Sequence, residues 1–227
     1  MQKLFVLIIA TVLMMAHSSC LSSLQPVATA KTITTDNRLP GEWTDGKESF
    51  RIQKLTESDI LKDDKYSDKQ LSIGKSNGGD DSVFFSNSYV ITAKRKDGVE
   101  YIMTGTLSRV NDQYFVDCMS LGMKHPKLGD NGSGFEFNFD YLSTFRVAQL
   151  SFVNKDKIVL KFLNGDFIKE QLNKGNLRLK YEKDDLFGSF LITASSYELQ
   201  QFLEKYGHDE RLYYNDDKSS ELTRKGS

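Results

Sequence analysis

The sequence predicts a mainly β domain with two late helices, built as an antiparallel barrel or sandwich. Three observations predict it. Several runs between residues 89 and 163 alternate apolar and polar side chains with period two, the pattern of a half-buried strand. Turn pairs such as Asp97-Gly98 and Asn111-Asp112 stand between those runs. The chain of 227 residues holds 15 Phe and 10 Tyr but only 3 Pro, a strand-favouring composition. No strand–helix–strand rhythm appears, so a parallel sheet is not expected.

The first twenty residues are read before the domain. Lys3 supplies a positive charge, and Leu4 to Ala16 is apolar apart from Thr11. As a helix that run covers about 20 Å, short of the about 30 Å of a bilayer core, so it suits a cleavable export signal. It ends in His17-Ser18-Ser19-Cys20. Small residues before a cysteine resemble the lipobox of bacterial lipoproteins, with His17 where an aliphatic residue is usual. The resemblance implies a diacylglycerol thioether on Cys20, cleavage before it and fatty acylation, such as palmitate, of the new amine. More than one acyl chain makes such an anchor durable. Leu21 follows with no acidic neighbour, which by likeness to lipoprotein sorting implies the outer membrane, facing the periplasm. The expected division is a signal peptide over 1–19, a lipidated N-terminus and flexible tether over 20–38, and one β-rich domain over 39–227. The tether is expected because 21–38 is rich in Ser, Thr and Ala and lacks an apolar period.

The domain opens at Leu39-Pro40-Gly41-Glu42-Trp43. Thr56 to Ser82 is polar, with Gly78-Gly79 and two Asp pairs, and reads as a long loop with at most a short strand near Leu71-Ser72-Ile73. Tyr89–Arg95, Val99–Val110 and Gln113–Leu121 then form a meander. Along its second strand Tyr101, Met103 and Leu107 share one face, and Thr104, Thr106 and Ser108 the other. Phe135 to Tyr141 alternates most cleanly, with one face wholly aromatic. Thr144–Val153 and Lys157–Leu163 flank a turn at 154–156. A short helix is expected over Asp166–Asn173, stopped by Gly175. Leu177, Leu179 and Tyr181 mark a strand, and Ser189–Thr193 pairs back on it. Ser195 to Tyr206 reads as a helix with a Ser195/Glu198 capping box, an apolar stripe of Leu199, Phe202, Leu203 and Tyr206, and Gly207 as its stop. A last strand near Glu221–Lys225 would close the sheet.

The residues name no reaction. His125 and His208 lack ligand-spaced partners, so no metal or cofactor is expected. Ser72-Ile73-Gly74-Lys75 has the spacing of a Ser-x-x-Lys tetrad without its companion motifs. Glu136 and Asp140, four residues apart on one strand face, stand about 13 Å apart, too far for a glycosidase pair. Cys118 shares a strand face with Val116 and reads as a small core residue. If Cys20 carries lipid, Cys118 has no disulfide partner, because the chain has 2 Cys. Lys plus Arg total 30 against 31 Asp plus Glu, with no basic stripe, which argues against nucleic acid.

Two further resemblances bear on fold. Gly41-x-Trp43, Gln113-Tyr114-Phe115-Val116-Asp117, Phe145-Arg146-Val147, Leu177-x-Leu179 and Leu191 to Leu203 resemble a set of uncharacterised exported bacterial lipoproteins. That likeness spans most of 39–225 outside the 56–82 stretch, and implies a shared fold without an activity. Gly41-Glu42-Trp43 also resembles the Gly-x-Trp opening of lipocalins. This implies an eight-stranded barrel, a late helix and an arginine on the last strand covering the tryptophan, for which Arg224 is placed. The expectation is a non-enzymatic cell-envelope lipoprotein, an interaction module for a protein or envelope component. The alternative is a lipocalin-like carrier of a small apolar ligand. Trp43, Tyr101, Phe135, Phe137 and Phe139 are the candidate ligand or core aromatic face. With Tyr114 and Tyr141 they carry enough ring volume to fill the interior.

Overall fold

The computed structural model describes residues 21–58, 80–124, 135–137, 143–184, 189–215 and 219–226. In chain order its strands are β1 (Ser22–Ser23), β2 (Gly41–Thr44), β3 (Ser49–Lys54), β4 (Ser88–Lys94), β5 (Glu100–Val110), β6 (Gln113–Lys124) and β7 (Phe135–Phe137). There follow β8 (Phe145–Asn154), β9 (Lys157–Phe162), β10 (Tyr181–Asp184), β11 (Ser189–Ile192) and β12 (Ser219–Arg224). The helices are α1 (Asp80–Asn87), α2 (Gly165–Asn173) and α3 (Ser196–Tyr206).

Eight strands close a lipocalin-like antiparallel barrel in the order β2-β3-β4-β5-β6-β8-β9-β12. Closure is made by β12, which pairs with β9 (Leu222 opposite Ile158) and with β2 (Arg224 opposite Trp43). A closed ring leaves no edge among these eight strands. Because the barrel strands alternate in direction, their connections alternate between two ends. The turns at 45–48 and 95–98, the ends of β6 and β9 and the starts of β8 and β12 lie at one end, here the mouth. The turns at 111–112 and 155–156, the end of β3 and the start of β4 lie at the other, the base. The tight turns use the chemistry expected of them, with Gly98 at φ 84 and Asn111 at φ 55.

Residues 21–38 differ from the flexible tether expected of them. They form a strap down the outside of the barrel, from mouth to base. Leu21, Ser23, Val27 and Ala28 are buried. β1 joins β8 at Phe145 and lies parallel to β11. The amides of Val27 and Ala28 donate to the two carboxylate oxygens of Asp117 at 2.9 and 2.8 Å. Thr34 N then donates to Leu107 O, and Arg109 N to Thr32 O. The strap is held by backbone pairing and one carboxylate, and neither leaves a hydrophobic period in the sequence. It also buries Thr106 and Ser108, so the outer face of β5 is not the solvated one its alternation implied.

Among the described residues three α-helices are present where two were expected. α1 starts within the 56–82 stretch read as loop, and its run Asp-Asp-Ser-Val-Phe-Phe-Ser-Asn has no apolar stripe to announce it. Phe85 of α1 packs with Leu55, Val90, Ile102 and Leu121 on the outside of β4–β6. Leu177 and Leu179 lie before β10, not within a strand. The reason is local: the amides of Gly175, Asn176 and Leu177 donate to Leu172 O and Gln171 O, still closing the end of α2. α3 carries both halves of its capping box. It packs Leu199, Phe202 and Leu203 with Val110, Phe115 and Val147 on the barrel's outer wall, in a second core shared with the strap, α2 and β11. A void of about 10 Å³ is found in that core, no more than a single water needs.

Candidate functional site

The barrel interior is built in tiers. At the base, Trp43 is 0% exposed and its Nε1 donates to Leu39 O at 2.9 Å. Arg224, paired across the strands with Trp43, sets its guanidinium 4.3 Å from the ring centroid. The same guanidinium donates to Pro40 O at 3.0 Å and to Arg38 O. Gly41 makes this possible: its φ is 140, and a Cβ there would lie 2.3 Å from Arg224 Nη1. Tyr89 Oη accepts from Asp36 N at 2.8 Å and donates to Asp36 O. Arg38 lies over the Phe152 ring at 3.7 Å, and its hydrogen bonds hold the Asp36 carboxyl below the usual carboxylate range. Residues 36–40 thus cap the base.

Above the base, each of the eight strands contributes one buried side chain to a single cluster: Trp43, Ile52, Tyr89, Leu107, Val116, Leu150, Ile158 and Leu222. This tier is filled, but mostly by aliphatic side chains and not by the aromatic face expected to fill the interior.

The next tier is different. Phe50, Ile91, Met103, Cys118 and Leu160 point inward by register, yet each is only partly buried. An inward residue in a filled barrel is closed off from water on all sides. These five form an upper apolar ring, the cup, that keeps some accessible surface beside the buried Ala93, Gly105 and Ala148; Tyr114 and Phe152 nearer the base are likewise partly buried. Cys118 shows this most directly. It is set so deep in protein that burial, helped by the negative charge of Asp117 and opposed by Arg146, pushes its thiol up to about 12. Nonetheless part of its surface is accessible, as befits a group lining a recess. A thiol so held stays neutral and serves as apolar wall, not as a nucleophile.

At the mouth, Tyr101 is 37% exposed and Arg146 is exposed. Arg146 lies directly across from Cys118 on the inward face and places its guanidinium 4.6 Å from the Phe162 ring centroid. Behind this wall, on the outer face of β6, Asp117 is buried; desolvation drives its pKa up to about 7 against the pull of the two strap amides.

Of the aromatic face read from the sequence, the structure places Trp43 in the floor and Tyr101 at the mouth, with Tyr114 also inward near the base. Phe135 and Phe137 sit on β7, which pairs with the last residues of β6 outside the closed ring. Phe139 and Tyr141 lie outside the described residues, as do Cys20, His125, Ser72, Lys75 and Asp140. His208 is exposed, 3.4 Å from Asp112. Among the described residues no cluster of His, Cys, Asp and Glu could hold a metal. Sequence reasoning missed Arg146, although its parity with Leu150 and Phe152 puts it on the inward face. It also missed the β2–β3 hairpin, despite Asp45-Gly46.

A second depression, about 870 Å³ and wide open, lies between α3 and residues 175–181. Lys180 and Glu198 in its lining are already paired at 2.9 Å. No helix of the described residues is long and apolar enough to cross a membrane. No family model, curated protein or solved structure matches the chain.

Proposed function

We propose that this protein is a non-enzymatic lipoprotein of the cell envelope, anchored through Cys20, whose barrel holds a small apolar molecule in its upper tier. The observation that carries this reading is the tier contrast. Eight buried residues fill the lower barrel, while Phe50, Ile91, Met103, Cys118 and Leu160 above them remain accessible. Small-molecule sites are concave, mostly apolar and largely pre-formed. The tier contrast favours the carrier over a module that acts only through its outer surface.

The test is titration with the neutral fluorophore N-phenyl-1-naphthylamine, whose emission rises in an apolar site. Wild-type protein should bind it saturably at one site. Met103→Arg and Leu160→Arg, each placing a charge in the cup, should weaken binding at least about tenfold. Trp43 emission should be unchanged in both, since the lower tier is untouched. Native mass spectrometry of protein taken from its own membranes should show a bound small molecule. Absence of saturable binding by wild type, or binding unchanged in both variants, would return the protein to the class of surface-acting interaction modules.

A further inference from the structure

We infer that the molecule held in the cup is an amphiphile with a single anionic head group, and that Arg146 receives that head at the mouth. The inference rests on the proposed cup and adds the chemical class of its occupant.

Arg146 sits where the inward face of β8 meets the mouth. Four residues further along the same strand and face is Leu150, in the filled tier. At about 3.3 Å per residue the two are about 13 Å apart along the strand. The wall between them is apolar: Ala148 on β8, Cys118 and Val116 opposite it on β6, Leu160 and Phe162 on the β9 side. A permanent positive charge therefore marks the open end of an apolar recess with a sealed floor.

Arg146 has no carboxylate partner among the described residues. Other arginines of the barrel ends are engaged: Arg38 with Asp36 at 2.6 Å, Arg95 with Asp97 at 3.3 Å, Arg224 with the carbonyls of the base. Arg146 instead holds its guanidinium 4.6 Å from the Phe162 ring centroid. A cation–π contact steadies a guanidinium beside a ring without consuming its N–H donors. Those N–H groups match two oxygens of one carboxylate or similar anion. Cys118 opposite it and the Phe162 ring beside it carry no charge, so Arg146 offers one positive charge to one negative charge. A neutral molecule would leave that charge unused, and a second cation would be repelled.

Competition against the naphthylamine probe at pH 8 tests this with dodecanoate and dodecanol, which share a chain and differ in head group. Wild type should prefer the carboxylate by about tenfold, a modest factor because the arginine is exposed to solvent. Arg146→Gln should bring the two affinities together by weakening dodecanoate alone. Arg146→Lys should keep part of the preference, since charge survives without the fork. Equal affinities in wild type, or a preference that persists in Arg146→Gln, would overturn the inference while leaving the cup intact. Failure of the probe and both ligands to bind wild type would remove the cup, and the inference with it.

Discussion

Arg224 Nη1 donates to Pro40 O at 3.0 Å while its guanidinium lies 4.3 Å from the Trp43 ring centroid, so one side chain ties β12 to the start of β2 and caps the barrel floor. Arg224→Ala should cost about 1–3 kcal/mol, as a charged group is removed from the Pro40 and Arg38 carbonyls and from the Trp43 ring. Arg224→Lys should recover only part of this, lacking the planar fork. Gly41→Ala should have a comparable cost, because it combines a strained φ with a Cβ in the space of the guanidinium. Denaturant midpoints measure all three. Trp43, the only tryptophan of the chain, should also become accessible to acrylamide in Arg224→Ala. Protection equal to wild type would show that Arg224 does not close the base.

α3 is predicted to be structural. Phe202 is 5% exposed within the second core. Phe202→Ala should destabilise by about 3–5 kcal/mol, the range for emptying a core aromatic site. A midpoint matching wild type would mean that the helix is not docked on the barrel wall.

Asp117 should make stability depend on pH. Its folded pKa, about 7, lies above the ordinary carboxylate value of 3.8. A raised folded pKa contributes stability in full below the unfolded value, and that contribution is lost as pH rises through the folded one. Wild type should therefore lose stability between about pH 4 and pH 7, by as much as about 4 kcal/mol at 1.36 kcal/mol per unit. Asp117→Asn should flatten this dependence. It should also lower stability at pH 5 by about 1–3 kcal/mol, because one strap amide loses its acceptor. Hydrogen exchange at Val27 and Ala28 should quicken in the variant. A pH profile identical to wild type would exclude Asp117 as its source.

Cys20→Ala should abolish anchoring. Metabolic labelling with a fatty-acid analogue should mark the wild type and not the variant, which should appear in the soluble fraction or remain unprocessed. Equal labelling of the two would place the acyl group elsewhere.

Much of the barrel was legible because its strands alternate and their turns use Asp-Gly and Asn-Asp pairs. The meander, the β8–β9 pair, both late helices and the closing strand follow from those local signals. The floor was anticipated only through the resemblance of Gly41-Glu42-Trp43 to a lipocalin opening, which implies an arginine over the tryptophan. The strap was not legible. Its stability comes from backbone groups donating to Asp117 and pairing with Leu107 and Arg109, partners about 75 to 90 positions away that no local period encodes. The cup was half legible. Alternation assigns Met103 and Cys118 to a face, but whether that face is filled depends on how eight strands splay above the floor. Ring counting, which pointed to a filled interior, could not separate one tier from the next.

Leu21, 8% exposed, is already packed into the folded body, and Ser23 pairs with Phe145, the neighbour of Arg146. Acyl chains on Cys20 would therefore leave a single peptide link, about 3.8 Å from one Cα to the next, between bilayer and body. A body on so short a leash has no reach; it has an orientation. The leash starts at the mouth end, so the barrel would hang mouth-down, its opening near the lipid head groups and its Trp43 floor pointing away. Depth-sensitive labels would report this: one at Lys96 in a mouth turn should lie closer to lipid than one at Asp112 in a base turn. In that posture loading and unloading would become exchanges with the membrane itself.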